Sequence, residues 1–194
     1  EMNDILLDGM EGSDTYVLNI CGCTAAITVK DSSIWGDDVL FINGSSGDDA
    51  FTVGENIATC GDSVVIRYDN SLETFIVDGK GGQDSFNISG NPWNVYGSSA
   101  VYGGAGDDVI EVSNINKYGL TIDGGSGSDS YRIAASLSGP LTANDRSGTD
   151  YLLIDGTSAA DTVEVSATEI KLNGATLYNF SSFTSGGLQV SGIE

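Results

Sequence analysis

The residues best equipped for chemistry in this 194-residue chain are aspartates that close glycine turns. One pattern occurs three times between Asp78 and Ile133, as DGKGGQDSFNI, YGGAGDDVIEV and DGGSGSDSYRI. It aligns Gly79 with Gly103 and Gly124, Gly82 with Gly106 and Gly127, and Asp84 with Asp108 and Asp129. Glycine lets a turn direct its carbonyls inward, and the closing Asp adds a hard carboxylate oxygen. Rings of hard oxygens suit Ca²⁺. Asp78, Asp107 and Asp123 flank these turns. Related turns occur at Asp8, Gly9, Gly12 and Asp14, at Asn43, Gly44, Gly47 and Asp49, and between Asp155 and Asp161, while Asp150 heads a strand of the same type. All of these are candidate metal ligands or carbonyl-donating turn positions.

Other chemistries lack their residues. There is no histidine, which removes Ser-His-Asp, Cys-His and zinc-histidine hydrolases. Only seven Lys+Arg are present, and nothing places one among paired acids, as a polysaccharide-active β-helix enzyme would need. The expectation is that the chain is not an enzyme. The balance of 7 Lys+Arg against 28 Asp+Glu, net −21, disfavours nucleic acid and anionic membranes and suits cations. No apolar run approaches the ~20 residues needed for a membrane-spanning helix.

The elements that position the aspartates follow from a repeat. Asp-x-apolar-x-apolar recurs at Asp14, Asp38, Asp62, Asp84, Asp108, Asp129 and Asp150, in steps of 24, 24, 22, 24, 21 and 21 residues. Two positions on stand Tyr16, Leu40, Val64, Phe86, Ile110, Tyr131 and Leu152, and four on stand Leu18, Ile42, Ile66, Ile88, Val112, Ile133 and Ile154. A period near 22 with alternation inside each unit predicts one solenoid coil per repeat, even positions inward, with strands stacked in parallel ~4.8 Å apart. The predicted fold is an all-β, right-handed parallel β-helix or β-roll of about eight coils of 21–24 residues, with residues 1–194 as a single domain. Glu1 and Glu194 resemble Glu73, which leads into an internal strand, so the unit is expected to belong to or stack into a longer array. The turns Gly44–Asp49 and Gly156–Asp161 close 11 residues after Asp38 and Asp150, half a coil, and are predicted on the opposite edge.

Three cysteines leave at least one without a partner in the chain, and the repeat register does not make Cys60 an obvious neighbour of Cys21 or Cys23. Pro92 predicts a loop there, whose Trp93 and Tyr96 would either stack on a sugar or pack over the core. The segment 136–149 reads as loop, with Asp145 where the turn glycine would stand, and LNGATL as a hairpin-like turn.

GGAGDDVIE (Gly103 to Glu111) and GGSGSDSYR (Gly124 to Arg132) resemble the RTX, haemolysin-type calcium-binding repeat, Gly-Gly-x-Gly-x-Asp-x-apolar-x, position for position. GKGGQDSFN differs only in Lys80. The resemblance implies Ca²⁺ held between consecutive turns, with Asp84, Asp108 and Asp129 as carboxylate ligands, in a protein that is secreted and folds on calcium. Family units recur about every nine residues. Here one good turn per 21–24 residues favours a wider β-helix.

Charge supports a cation independently. Aspartates stacked ~5 Å apart repel by roughly 3 kcal/mol per pair at an effective dielectric of about 20. The competing arrangement has each Asp capping its own turn amides and facing water. The functional expectation is an extracellular, calcium-stabilised structural solenoid of a surface layer, adhesin stalk or filament. It would associate end to end with copies of itself or adjacent repeats, and laterally through an outward stripe of Val17, Phe41 and Val65. Further along that row Glu111 should neighbour Arg132. The alternative is a carbohydrate-binding or adhesive module recognising extracellular polysaccharide.

Overall fold

The computed structural model describes residues 4–19, 21–33, 35–91, 98–135, 137–145, 147–166, 169–173, 175–180 and 186–191. Pro92, Trp93 and Tyr96, as well as Glu1 and Glu194, lie outside them. Sheet 1 runs in the order β1 (Asp4–Asp8), β3 (Ala25–Lys30), β7 (Val64–Tyr68), β6 (Ile57–Cys60), β5 (Ala50–Val53), β9 (Ser85–Ile88), β11 (Val109–Val112), β13 (Ser130–Ala134), β15 (Asp150–Asp155) and β19 (Gly186–Ser191). Sheet 2 runs β16 (Val163–Val165), β17 (Glu169–Leu172), β18 (Ala175–Phe180), β14 (Leu141–Asn144), β12 (Leu120–Ser126), β10 (Ser98–Ala105), β8 (Thr74–Asp78), β4 (Val39–Asn43) and β2 (Thr15–Asn19). The chain alternates between the sheets, and most neighbours pair in parallel, as in β8–β10–β12 and β9–β11–β13. This is a parallel β-solenoid of about six turns rather than eight.

The core is built by alternation within short strands. All fourteen apolar residues two and four positions after the repeat aspartates are buried, from Tyr16 and Leu18 to Leu152 and Ile154. They stack coil on coil, with the rings of Phe51 and Phe86 parallel and 5.0 Å apart. A helix-forming period is absent from these segments, and β-branched residues suit the pleated inner face.

Two antiparallel insertions account for the smaller coil number. β6 folds back between β5 and β7, so that Phe51 pairs with Cys60 and Cys60 with Val64. Asp62 therefore lies exposed in the tight turn between β6 and β7, not at a coil corner. Near the other end β16, β17 and β18 pair antiparallel, with Asn173 in the left-handed region (φ 53°) at the predicted LNGATL hairpin. The segment read as loop before Asp150 contains β14.

The β6 insertion also changes the cysteine reading. Cys21 and Cys60 form a disulfide with Cα atoms 5.7 Å apart, because fold-back brings Cys60 beside the loop between β2 and β3. Cys23 is exposed and outside that bond.

The predicted stripe of Val17, Phe41 and Val65 does not form. Val17 pairs with Phe41 and Phe41 with Ile76 on sheet 2, whereas Val65 sits between Ala26 and Thr59 on sheet 1. Glu111 and Arg132 are cross-strand partners as expected, and Arg132 also reaches Asp155 at 2.8 Å.

Candidate metal centre

The solenoid has two edges, and the acids divide between them. Edge I carries the turns from sheet 2 to sheet 1 and stacks Asp49, Asp84, Asp108, Asp129 and Asp150. Edge II carries the turns from sheet 1 to sheet 2 and stacks Asp14, Asp38 and Glu73. The repeat aspartates, expected in one register from Asp14 to Asp150, thus divide between two columns. The turn at 44–49 lies opposite Asp38, as predicted, but this puts it on the same edge as the 78–129 column and not across from it, directly against 79–84, since Gly44 N–H donates to the Asp78 carbonyl at 2.7 Å. The turn at 8–14 is on edge II. The 155–161 turn, joining β15 to β16, is also on edge II, opposite the 78–129 column as expected.

One hydrogen bond repeats along each edge. On edge I the backbone N–H of each acid donates to the carboxylate Oδ1 of the next: Asp49 to Asp84 at 2.8 Å, Asp84 to Asp108 at 2.8 Å, Asp108 to Asp129 at 2.8 Å and Asp129 to Asp150 at 3.0 Å. On edge II Asp14 donates to Asp38 and Asp38 to Glu73, each at 2.7 Å. The aspartates do cap turn amides, but those of the neighbouring coil, and Asp84, Asp108, Asp129 and Asp150 are each only 1% exposed.

Each of these four leaves its Oδ2 buried without a hydrogen-bond donor. Burial raises the Asp84, Asp108 and Asp129 carboxyls to about 6, with neighbouring carboxylates adding to the rise and the inter-coil amide opposing it. Glycine is required where that oxygen lies. A Cβ on Gly79 would overlap Asp84 Oδ2 and stand 2.6 Å from the Gly103 carbonyl oxygen, and one on Gly103 would overlap Asp108 Oδ2 and stand 2.6 Å from that of Gly124. The edge thus gathers a carboxylate oxygen and the next coil's carbonyl oxygen at Gly44, Gly79 and Gly103. Buried anionic oxygens without donors, in a row, fit a hard cation and are costly without one.

The second aligned glycines serve differently: Gly82, Gly106 and Gly127 have φ of 118°, 131° and 137°. Not every turn carbonyl is open, since those of Lys80, Ala105 and Gly125 accept N–H bonds from adjacent coils. Lys80, aligned with Gly104 and Gly125, holds φ 75°.

Most of the remaining candidates have other partners. Asp49 Oδ2 accepts the Ser45 N–H at 2.6 Å within its own turn. Asp107 Oδ1 accepts the Ser128 N–H at 2.7 Å. Asp8 pairs with Lys30 at 2.8 Å, and hydrogen bonds from Lys30 and Ser32 hold its carboxyl down at about 2. Asp155 takes Arg132, while Asp161 accepts bonds from Thr157 and Asn173. Asn43 donates to Asn19 Oδ1 at 2.8 Å, outside the column. Asp78 and Asp123 flank Tyr102 in the outer row of sheet 2, lining a groove of about 440 Å³ with Lys80. Gly9 abuts Asp14, Gly12 turns at φ 123°, and Gly47 lies beside Ser45.

Sequence reasoning missed Asp31 as a site residue and left Asp145 a loop acid. Three-carboxylate groups form at Asp14, Asp31 and Asp38 and at Asp129, Asp145 and Asp150, the ligand atoms within each lying inside 4.8 Å of one another. Pairing Lys30 with Asp8 and Asn144 with Asp123 aligns Asp31 with Gly9 and Asp145 with Gly124, a signal that register supplies and local motif does not.

No family model, curated protein or solved structure matches this chain.

Proposed function

We propose that this chain is an extracellular structural solenoid stabilised by calcium along edge I. The observation that carries the reading is the run Asp84, Asp108, Asp129 and Asp150, whose buried Oδ2 atoms have no donor. A protein of net charge −21 gains most from a counter-ion where its carboxylates are both stacked and dry. The disulfide Cys21–Cys60 supports an oxidising, secreted setting. An RTX-like function is supported by the same turns, and a surface layer, adhesin stalk or filament uses such rigidity as a spacer.

Assembly end to end, with a copy of the chain or with adjacent repeats, is supported by the β1 end. Ile5 belongs to the inward row of Ile27 and Ile66, yet it is 45% exposed, and Leu6 is 61% exposed. Among the described residues β1 pairs only with β3 and β2 only with β4, and an open strand edge templates another chain. Lateral contact runs through Val17, Phe41 and Ile76. Light scattering in calcium and in chelator tests assembly. Particle size should grow with concentration in calcium and fall in Leu6→Lys, and a chain that stays monomeric at high concentration in calcium rejects end-to-end association.

A carbohydrate-binding module is the second reading, favoured by Tyr102 between Asp78 and Asp123 in the sheet 2 groove. An aromatic face beside carboxylates suits a sugar ring. Retention of the monomer on a glycan array, lost in Tyr102→Ala, would support it.

A further inference from the structure

Two places in the solenoid share a device that the other coils lack among the described residues. In ordinary coils the first glycine of a turn donates its N–H straight to a carbonyl of the next coil, as Gly79 does to Tyr102 at 2.9 Å and Gly44 to Asp78 at 2.7 Å. At Gly9 and Gly124 a tyrosine hydroxyl is inserted into that bond. Gly9 N–H donates to Tyr16 Oη at 2.6 Å, and Tyr16 donates on to the Lys30 carbonyl at 3.1 Å. Gly124 N–H donates to Tyr131 Oη at 2.7 Å, and Tyr131 lies 3.2 Å from the Asn144 carbonyl and 2.9 Å from Asp145 Oδ2.

The next residue explains the wedge. Lys30 and Asn144 are followed by Asp31 and Asp145, which stand in the next coil where the register continues Gly9 and Gly124. A hydroxyl bridge replaces one bond by two and holds the coils apart where a carboxylate, rather than a hydrogen, must fit. Each inserted Asp completes a group of three: Asp14, Asp31 and Asp38 on edge II, and Asp129, Asp145 and Asp150 on edge I. Asp31, 6% exposed, and Asp129 and Asp150, each 1% exposed, keep a buried oxygen without any donor, and the donor-free Oδ2 atoms of Asp14 and Asp129 face the wedged glycines Gly9 and Gly124 beside the tyrosine hydroxyls.

We infer that each tyrosine-wedged trio of carboxylates is a discrete site for a hard divalent cation of calcium's size, distinct from the repeating turn sites. Three buried carboxylate oxygens supply both the charge and the oxygen donors that such an ion takes, with water free to complete its shell. Magnesium, which holds its waters tightly and demands octahedral geometry, fits less well. The inference stands apart from the proposed calcium column at Asp14, Asp31 and Asp38, and deepens that reading at Asp129 and Asp150, which the column shares.

The test is calcium stoichiometry by equilibrium dialysis on the wild type, Asp31→Asn, Asp145→Asn, the double variant of these two and Asp84→Asn, paired with thermal melts. Asp31→Asn and Asp145→Asn should each bind one ion fewer, and the double variant two fewer. Each should melt above the wild type in chelator, because a crowding charge is gone, and below it in calcium. Loss in one variant alone keeps that site and rejects the other. Unchanged stoichiometry in both, or melting above the wild type in both conditions, overturns the inference whatever Asp84→Asn does. An unchanged count in Asp84→Asn beside losses in the other two rejects the column and leaves the trios standing.

Discussion

Asp107 and Asp108 are adjacent in sequence and reach in opposite directions along the solenoid axis. Asp107 accepts the Ser128 N–H of the following coil at 2.7 Å, and Asp108 accepts the Asp84 N–H of the preceding coil at 2.8 Å. One dipeptide therefore ties three coils together. Asp107 is exposed and Asp108 is 1% exposed. Their substitutions should therefore differ.

Asp108→Ala leaves the Asp84 amide buried without an acceptor and should cost about 1–3 kcal/mol in calcium, by urea unfolding. Asp107→Ala, losing an exposed hydrogen bond, should cost about 1 kcal/mol or less. Asp62→Ala, in the exposed β6–β7 turn, should stay within about 0.5 kcal/mol of wild type. Equal costs at Asp108 and Asp62 would reject the ladder as a stabilising element.

Lys80→Gly should stabilise the protein by about 0.5–1 kcal/mol, since a lysine at φ 75° is relieved and glycine costs only unfolded-chain entropy. The Lys80–Asp78 ion pair that is lost is exposed and weak. A lower melting temperature for the variant would contradict this.

Without metal, stability should fall as pH rises through the acid range. The Asp84, Asp108, Asp129 and Asp145 carboxyls titrate at about 6 in the folded chain against an ordinary 3.8, so the folded state binds more protons between those values. The contribution of these groups in chelator is therefore most favourable below about 4, declines toward 6 and is flat above. Calcium competes with those protons, so the calcium-induced gain in melting temperature should grow over the same window. Melts across pH, with and without chelator, check both signs.

Reduction of Cys21–Cys60, which spans 39 residues, should cost about 3–4 kcal/mol by loop closure. Urea unfolding with and without a reductant measures it, and no difference would show that the β6 insertion is held by packing alone.

The inner face was legible because alternation is local: Phe86, Ile88, Ile110 and Val112 declare their burial within five residues of an Asp. Column membership was not. Asp38 and Asp62 are 24 residues apart, a good coil step, yet the true neighbour of Asp38 is Glu73, 35 residues on, because β6 inserts a strand that keeps apolar alternation while reversing direction. Val64 and Ile66 are buried by that hairpin's logic and imitate a coil. The wedged trios were hidden for a related reason. Asp145 breaks the glycine motif, and its meaning appears only when Asn144 is set beside Asp123 and Tyr131 reaches across.

The central claim is that buried edge carboxylates hold a cation that stabilises the fold. The most direct measurement is the melting temperature at about pH 7.5 in excess calcium against excess chelator, where an ion at 100 times its Kd adds about 2.7 kcal/mol per site. The account predicts a large rise in calcium that shrinks in Asp108→Asn. The same melting temperature in calcium and in chelator would contradict it.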